Sequence, residues 1–278
     1  MSKSVNSSNG VVTEHDPPHE VNKNKSANFW QNVFVGSITG MSVVSIIQPM
    51  IYFKNTTQAR AAEGGQSVVQ VKSFEKNPCV WYRGVAGFAA SFAPTVAIQT
   101  AANGIFSNVW NPFFAASAAG IISAVVVCPA EGVMIQQQKM GNNFWQTVKY
   151  VYTNYGVQGF YRAFTPTAIR EGAFTAAYLG AAPMMKEKMQ SFGVNEWVAQ
   201  MVTGVVAGTV AAGISHPFDT FKTQKQGDFS MKMSMIKAVF QKTAFAGFGW
   251  RVAMITIATT VIPFVQAKLN AKIEQARH

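Results

Sequence analysis

HPFDTFKTQKQ, residues 216–226, closes the apolar run VAQMVTGVVAGTVAAGIS (198–215) with a proline, an acid two residues on and a lysine three residues after that. A proline inside a helix removes a backbone hydrogen bond and bends the axis. Asp219 and Lys222, three residues apart, share one helical face. Charges on so apolar a segment are expensive in lipid unless that face looks at a partner or at water. The stretch also recurs. QPMIYFKNTTQ (48–58) and CPAEGVMIQQQ (128–138) align with it on Pro49, Pro129 and Pro217, at intervals of 80 and 88 residues. Nine residues after each proline stands a glutamine: Gln58, Gln138 and Gln226. Thirteen and nine residues before it stand small residues, Gly36 and Gly40, Ala116 and Gly120, Gly204 and Gly208, the spacing of a close helix–helix contact.

A second motif follows each proline by about 34 residues, read as WYRG (81–84), FYRA (160–163) and GWRV (249–252). Two motifs at matched spacing in three copies imply a triplicated unit. Each unit reads as a long kinked helix, a polar segment with a short amphipathic helix, and a second long helix. The short helix is clearest in NNFWQTVKYVYTNYG (142–156). The repeats are placed at 28–108, 109–190 and 191–278, after a polar tail, 1–27. That tail has no secretory apolar core and fits a transit peptide poorly. It reads either as a disordered tether or as a docking segment.

Composition agrees with a membrane bundle. The 278-residue chain carries a formal charge of +11, yet only 13% of its residues are charged and 49% are hydrophobic. The runs 113–130, 198–215 and 252–267 approach the roughly 20 residues needed to cross a bilayer. Their many Ala, Gly, Ser and Thr suit helices packed on one another or lining a wet cavity. Cys79 and Cys128 form no metal or redox pattern, and no common enzyme motif is present, so neither a metal nor an enzymatic role is expected. The polar segments inside the repeats hold 14 Lys or Arg, whereas the short loops between repeats hold only Lys186 and Lys188. The positive-inside rule turns the long loops toward the negative compartment. Topology and anionic lipid account for the basic charge without nucleic acid.

These residues resemble the mitochondrial carrier family, whose signature is Pro-x-acid-x-x-base on the odd helices, a glutamine nine residues after the proline, and an aromatic-basic-Gly motif opening each even helix. The resemblance covers about residues 28–276. It implies an all-α membrane protein of six transmembrane helices in a threefold pseudosymmetric bundle, with short matrix-side amphipathic helices. It also implies the inner mitochondrial membrane, both termini toward the intermembrane space, and alternating access. Pro49, Pro129 and Pro217 become helix kinks, and Lys54, Glu131, Asp219 and Lys222, with the three glutamines, a matrix-side gate. Bound cardiolipin is expected at the second motifs, through Arg83, Gly84, Arg162 and Arg251, although aromatics that only anchor helix ends would look the same. No cofactor is implied.

The pattern is incomplete. Ile51 stands where repeat 1 should have its acid, and Met134 where repeat 2 should have its base. In the family each acid meets the base of the next repeat, so Ile51 and Met134 would be partners. One bridge is lost as a unit, while Glu131 would still meet Lys222, and Asp219 would still meet Lys54. The far ends of the even helices (102–106, 182–186, 270–274) keep only Lys186 of their expected charges. Counting seven residues past Gly84, Ala163 and Val252 reaches Ser91, Arg170 and Thr259 as the cargo level, with Glu171, Phe174 and Ser215 around them. Arg followed by an acid resembles carriers of amino acids or related zwitterions; a nucleotide stays open. Two functions follow. One is a carrier of a small anionic or zwitterionic metabolite. The other is a transport-incompetent carrier fold kept as an accessory subunit of a large assembly such as a respiratory-chain complex, docked through its tail. Arg170 separates them: free for solute in a carrier, locked to a carboxylate in a scaffold.

Overall fold

A computed structural model describes residues 18–63 and 77–277. The tail 1–17 and part of the repeat 1 polar segment, 64–76, lie outside the described residues. Among the described residues the regular structure is helical throughout. The elements are α1 (Pro18–Glu63), α2 (Pro78–Trp81), α3 (Val85–Ala90), α4 (Phe92–Phe106), α5 (Pro112–Met140) and α6 (Phe144–Phe160). Then come α7 (Phe164–Thr175), a π-helical turn (Ala176–Ala181), α8 (Ala182–Ser191), α9 (Glu196–Gly227), α10 (Met235–Val239), a 3₁₀ turn (Lys242–Phe245) and α11 (Phe248–Arg277). Residues 18–27 are helical, so the first helix begins ten residues before the expected end of the tail.

Among the described residues four helices are long and apolar enough to span a membrane, within α1, α5, α9 and the 242–276 stretch, and the bent pair Pro78–Ala90 and Phe92–Phe106 makes a fifth candidate. The run 164–191 fails that apolarity test, because it carries Arg170, Glu171, Lys186, Glu187 and Lys188. It nevertheless closes the bundle. Neighbouring elements pack in the cyclic order α1, α4, α5, α7, α9, α11 and back to α1.

The small residues before each proline seat the even helix of their own repeat. A Cβ added to Gly36 or Gly40 would lie 2.9 Å from Val96 or 2.4 Å from Phe92. At Gly120 it would lie 2.5 Å from the Glu171 carbonyl, and at Gly204 and Gly208, 2.9 Å from Thr259 and 2.7 Å from Ile255. Phe92, Glu171 and Ile255 stand eight residues after Gly84, Ala163 and Gly247, and Val96, Thr175 and Thr259 stand twelve after them. Gly84 and Gly247 share a left-handed backbone, φ 84° and 78°, where each even helix begins. The partner of Gly84 in repeat 3 is therefore Gly247, and the aromatic-basic match at 249–252, which puts Val252 in that place, lies five residues too late. The cause is a shorter loop: Gly247 follows Pro217 by 30 residues, against 35 for Gly84 and Pro49.

On the polar side, α6 opens with a reciprocal capping box between Asn143 and Gln146. The chain after α9 is held on repeat 2. Gln136 and Lys139 donate to the carbonyls of Gln226 and Gly227, each at 2.5 Å, satisfying the open end of the helix. Phe229 stacks on Tyr155 at 3.9 Å, with the Arg162 guanidinium 5.6 Å from its ring. Asp228 turns back to accept from the Ser230 amide and hydroxyl at 2.8 and 2.6 Å. Partial burial raises the carboxyl of Asp228, but these bonds and nearby cations hold it below the usual carboxylate range.

Candidate functional site

The residues around the three prolines build one buried ionic cluster. Lys54 on α1 reaches Asp219 on α9 at 2.7 Å, and Lys222 on α9 reaches Glu131 on α5 at 2.9 Å. Both pairings expected from the repeat are present. Ile51 and Met134 sit in one apolar cluster with Val43 and Ile47, and the α11 residues Met254, Ala258 and Val261 pack on it. The missing bridge is thus replaced by an apolar contact, which avoids an orphaned charge. Gln58 donates to Asp219 at 3.2 Å and to Thr220 at 3.1 Å. Gln226 turns instead to the Cys128 carbonyl, 3.1 Å, and Gln138 accepts from Asn55, 2.9 Å, beside the apolar seam.

Asp219 is the hub. Besides Lys54 and Lys222 (3.1 Å), it faces Arg251 at 3.4 Å and Arg170 at 3.6 Å. Arg251 corrects its expected lipid role: only 6% exposed, it donates to Ser215 at 2.8 Å. Its position four residues into α11, counted from Gly247, faces the bundle interior. Ser215 is also corrected, since it is fully buried in this bond and one to the Ala211 carbonyl and presents nothing to a solute. Thr259 packs on Gly204 and bonds the Ile255 and Thr256 carbonyls, on the seam between helices. The residue that matches Ser91 and Arg170 in repeat 3 is Met254, seven after Gly247. Arg162 donates to the Met231 carbonyl at 2.9 Å, a tie between repeats 2 and 3. Arg83 lies over Gly141, 2.9 Å from where a Cβ there would be.

Arg170 is engaged on the protein side. One guanidinium nitrogen donates to Glu131 at 3.0 Å and to the neighbouring Glu171. Its side chain remains 16% exposed, the most of the cluster. Ser91 lies at the break between α3 and α4, donating to Phe88, and Phe174, one turn beyond Arg170, is 38% exposed. His216 went unread in the sequence. Fully buried against Phe245 and Phe248, its Nε2–H donates to the Ala246 carbonyl at 3.0 Å and ties α9 to the start of α11. Its place beside Pro217 was the available signal.

A family model described as mitochondrial carrier protein matches residues 106–193, which span the second repeat. Mitochondrial substrate carrier family protein X of Dictyostelium discoideum is 24% identical over 78% of this chain and 79% of its own length. Mitochondrial 2-oxodicarboxylate carrier 2 of Saccharomyces cerevisiae is 24% identical over 69% of this chain and 72% of its own. The chain is thus similar to the mitochondrial carrier family, by the family model across its second repeat and at low identity over most of its length. The mitochondrial glycine transporter of Mycosarcoma maydis is 32% identical over a shorter stretch, 26% of this chain and 20% of its own. Similarity to mitochondrial carriers implies a multi-pass protein of the inner mitochondrial membrane. Members of this family are transporters rather than enzymes.

Proposed function

We propose that the carrier moves a small carboxylate-bearing metabolite, anionic or zwitterionic, by alternating access. The observation that carries this reading is the position of Arg170. It is the most exposed group of a buried ionic cluster, and it is bonded to Glu131, an acid of one of the two retained bridges. A carboxylate reaching Arg170 would form charge-assisted hydrogen bonds and compete with Glu131 for the guanidinium. Cargo binding would then loosen the contacts that hold α5 and α9 together. The relatives named for 2-oxodicarboxylates and for glycine handle solutes that share the carboxylate group. The basic loops support an orientation with both termini on the intermembrane-space side. Of the residues expected at a cardiolipin phosphate, Arg83 and Gly84 remain for that role.

One observation favours the second reading, a carrier fold retained as a structural subunit. Arg170 is tied to two carboxylates, as a scaffold requires. Because its removal would orphan Glu171 in either case, stability does not separate the two readings, and uptake does. In proteoliposomes screened with amino acids, carboxylates and nucleotides, saturable uptake is expected. Arg170→Ala should abolish it, and Arg170→Lys should lose most of it, because lysine lacks the planar fork. Folded wild-type protein that takes up none of the panel would overturn transport in favour of the scaffold.

A further inference from the structure

We infer that the buried cluster is completed by a solute carrying one net negative charge. The inference rests on the transport reading and adds the solute's charge to it. Four cations, Lys54, Arg170, Lys222 and Arg251, share the cluster with three carboxylates, Glu131, Glu171 and Asp219. One cation is left without a counter-charge in a region where every side chain but Arg170 is at most a tenth exposed. The cluster also holds unsatisfied hydrogen-bonding atoms of both kinds, among them the acceptor Asp219 Oδ1. Arg170 Nε and Arg251 Nη1 are buried without hydrogen-bond partners, although Asp219 lies near both. A buried unpaired charge is unfavourable, and a counter-ion that reaches it relieves the cost.

The route to the cluster is Arg170, whose bonds to Glu131 and Glu171 both use one terminal nitrogen and leave the other for a ligand. A monoanion arriving there neutralises the cluster. A net-neutral zwitterion leaves the surplus cation in place, and a dianion brings one negative charge too many into a site walled by three carboxylates. Selection is therefore by net charge, whether or not the solute bears an amino group.

The test uses the full-length chain, in detergent for ligand-induced thermal shifts and in proteoliposomes for uptake. The panel is glycine (net neutral), pyruvate and aspartate (one net negative charge) and 2-oxoglutarate (two). Pyruvate and aspartate should both bind at least about tenfold more tightly than glycine and 2-oxoglutarate, a difference of about 1.4 kcal/mol or more. Arg251→Met, which removes the surplus cation without opening a large cavity, should shift preference from aspartate toward glycine. Where that variant does not fold, the wild-type ranking alone decides. Uptake with glycine or 2-oxoglutarate preferred would overturn the charge inference and leave transport standing. No uptake and no thermal shift with any solute would overturn both.

Discussion

Asp219 concentrates the consequences of single-residue change. Four cations approach it within 3.6 Å, so neutralising it strands positive charge that no other acid is placed to absorb. Asp219→Asn should therefore lower stability by about 3–5 kcal/mol, the range for a broken buried pair. Lys222→Ala should cost less, because Glu131 keeps Arg170 and Asp219 keeps Lys54. Thermal unfolding in detergent ranks the two, and equal losses would contradict the hub. The double variant Asp219→Asn/Lys54→Met should recover part of the loss through coupling between partners. At this scale the sequence was readable where chemistry repeats: proline, acid, base and glutamine announce themselves at fixed spacing. Arg251 was not readable. An arginine beside a tryptophan matches a lipid-facing motif as well as an interior one, and only the helix register separates them.

The helix seams set the tolerance of whole elements to added bulk. A Cβ at Gly120 would meet backbone, the Glu171 carbonyl, which cannot swing aside, whereas at Gly208 it would meet a side-chain atom, the Cγ2 methyl of Ile255. Gly120→Ala is expected to cost about 1–3 kcal/mol and Gly208→Ala less, since overpacking is relieved where a side chain can turn. Gly104→Ala, with nothing within 4 Å, should be neutral or up to about 1 kcal/mol stabilising. Melting temperatures of the three variants check the order. The same seams explain what the sequence hid. Repeat 3 was aligned on GWRV, but the loop before α11 is shorter, and GWRV resembles the motif only by residue type. The seam partners Phe92, Glu171 and Ile255 restore the threefold register and move the match to Ser91 and Arg170 from Thr259 to Met254. The second helix of repeat 2 was legible from the repeat and not from hydropathy, because Arg170, Glu171 and the charges at 186–188 dilute it.

Across the whole molecule the three repeats are joined unequally. Repeats 3 and 1 share Lys54–Asp219 and the Gln58 brace. Repeats 2 and 3 share Glu131–Lys222, the carbonyl ties of Gln136 and Lys139, and the Tyr155–Phe229 stack. Repeats 1 and 2 have the apolar Ile51–Met134 cluster and the Asn55–Gln138 bond. Restoring charge there tests the threefold logic. Ile51→Asp or Met134→Lys alone should each cost about 3–5 kcal/mol as an unpaired buried charge. Together they should recover at least half of the summed loss and slow uptake by strengthening the closed state. Additive losses would show that the two positions do not face each other.

The stacked ring of Phe229 also bears on the shape of the opening. An iris needs three leaves that part equally. Here two leaves are riveted at their outer edge by ring, guanidinium and carbonyl contacts, while the third is held to one neighbour by an ion pair and to the other by an apolar cluster and one amide bond. Under the proposed alternating access the mouth beside the ionic cluster would open as an off-centre slit between Ile51 and Met134, with apolar side chains on both lips.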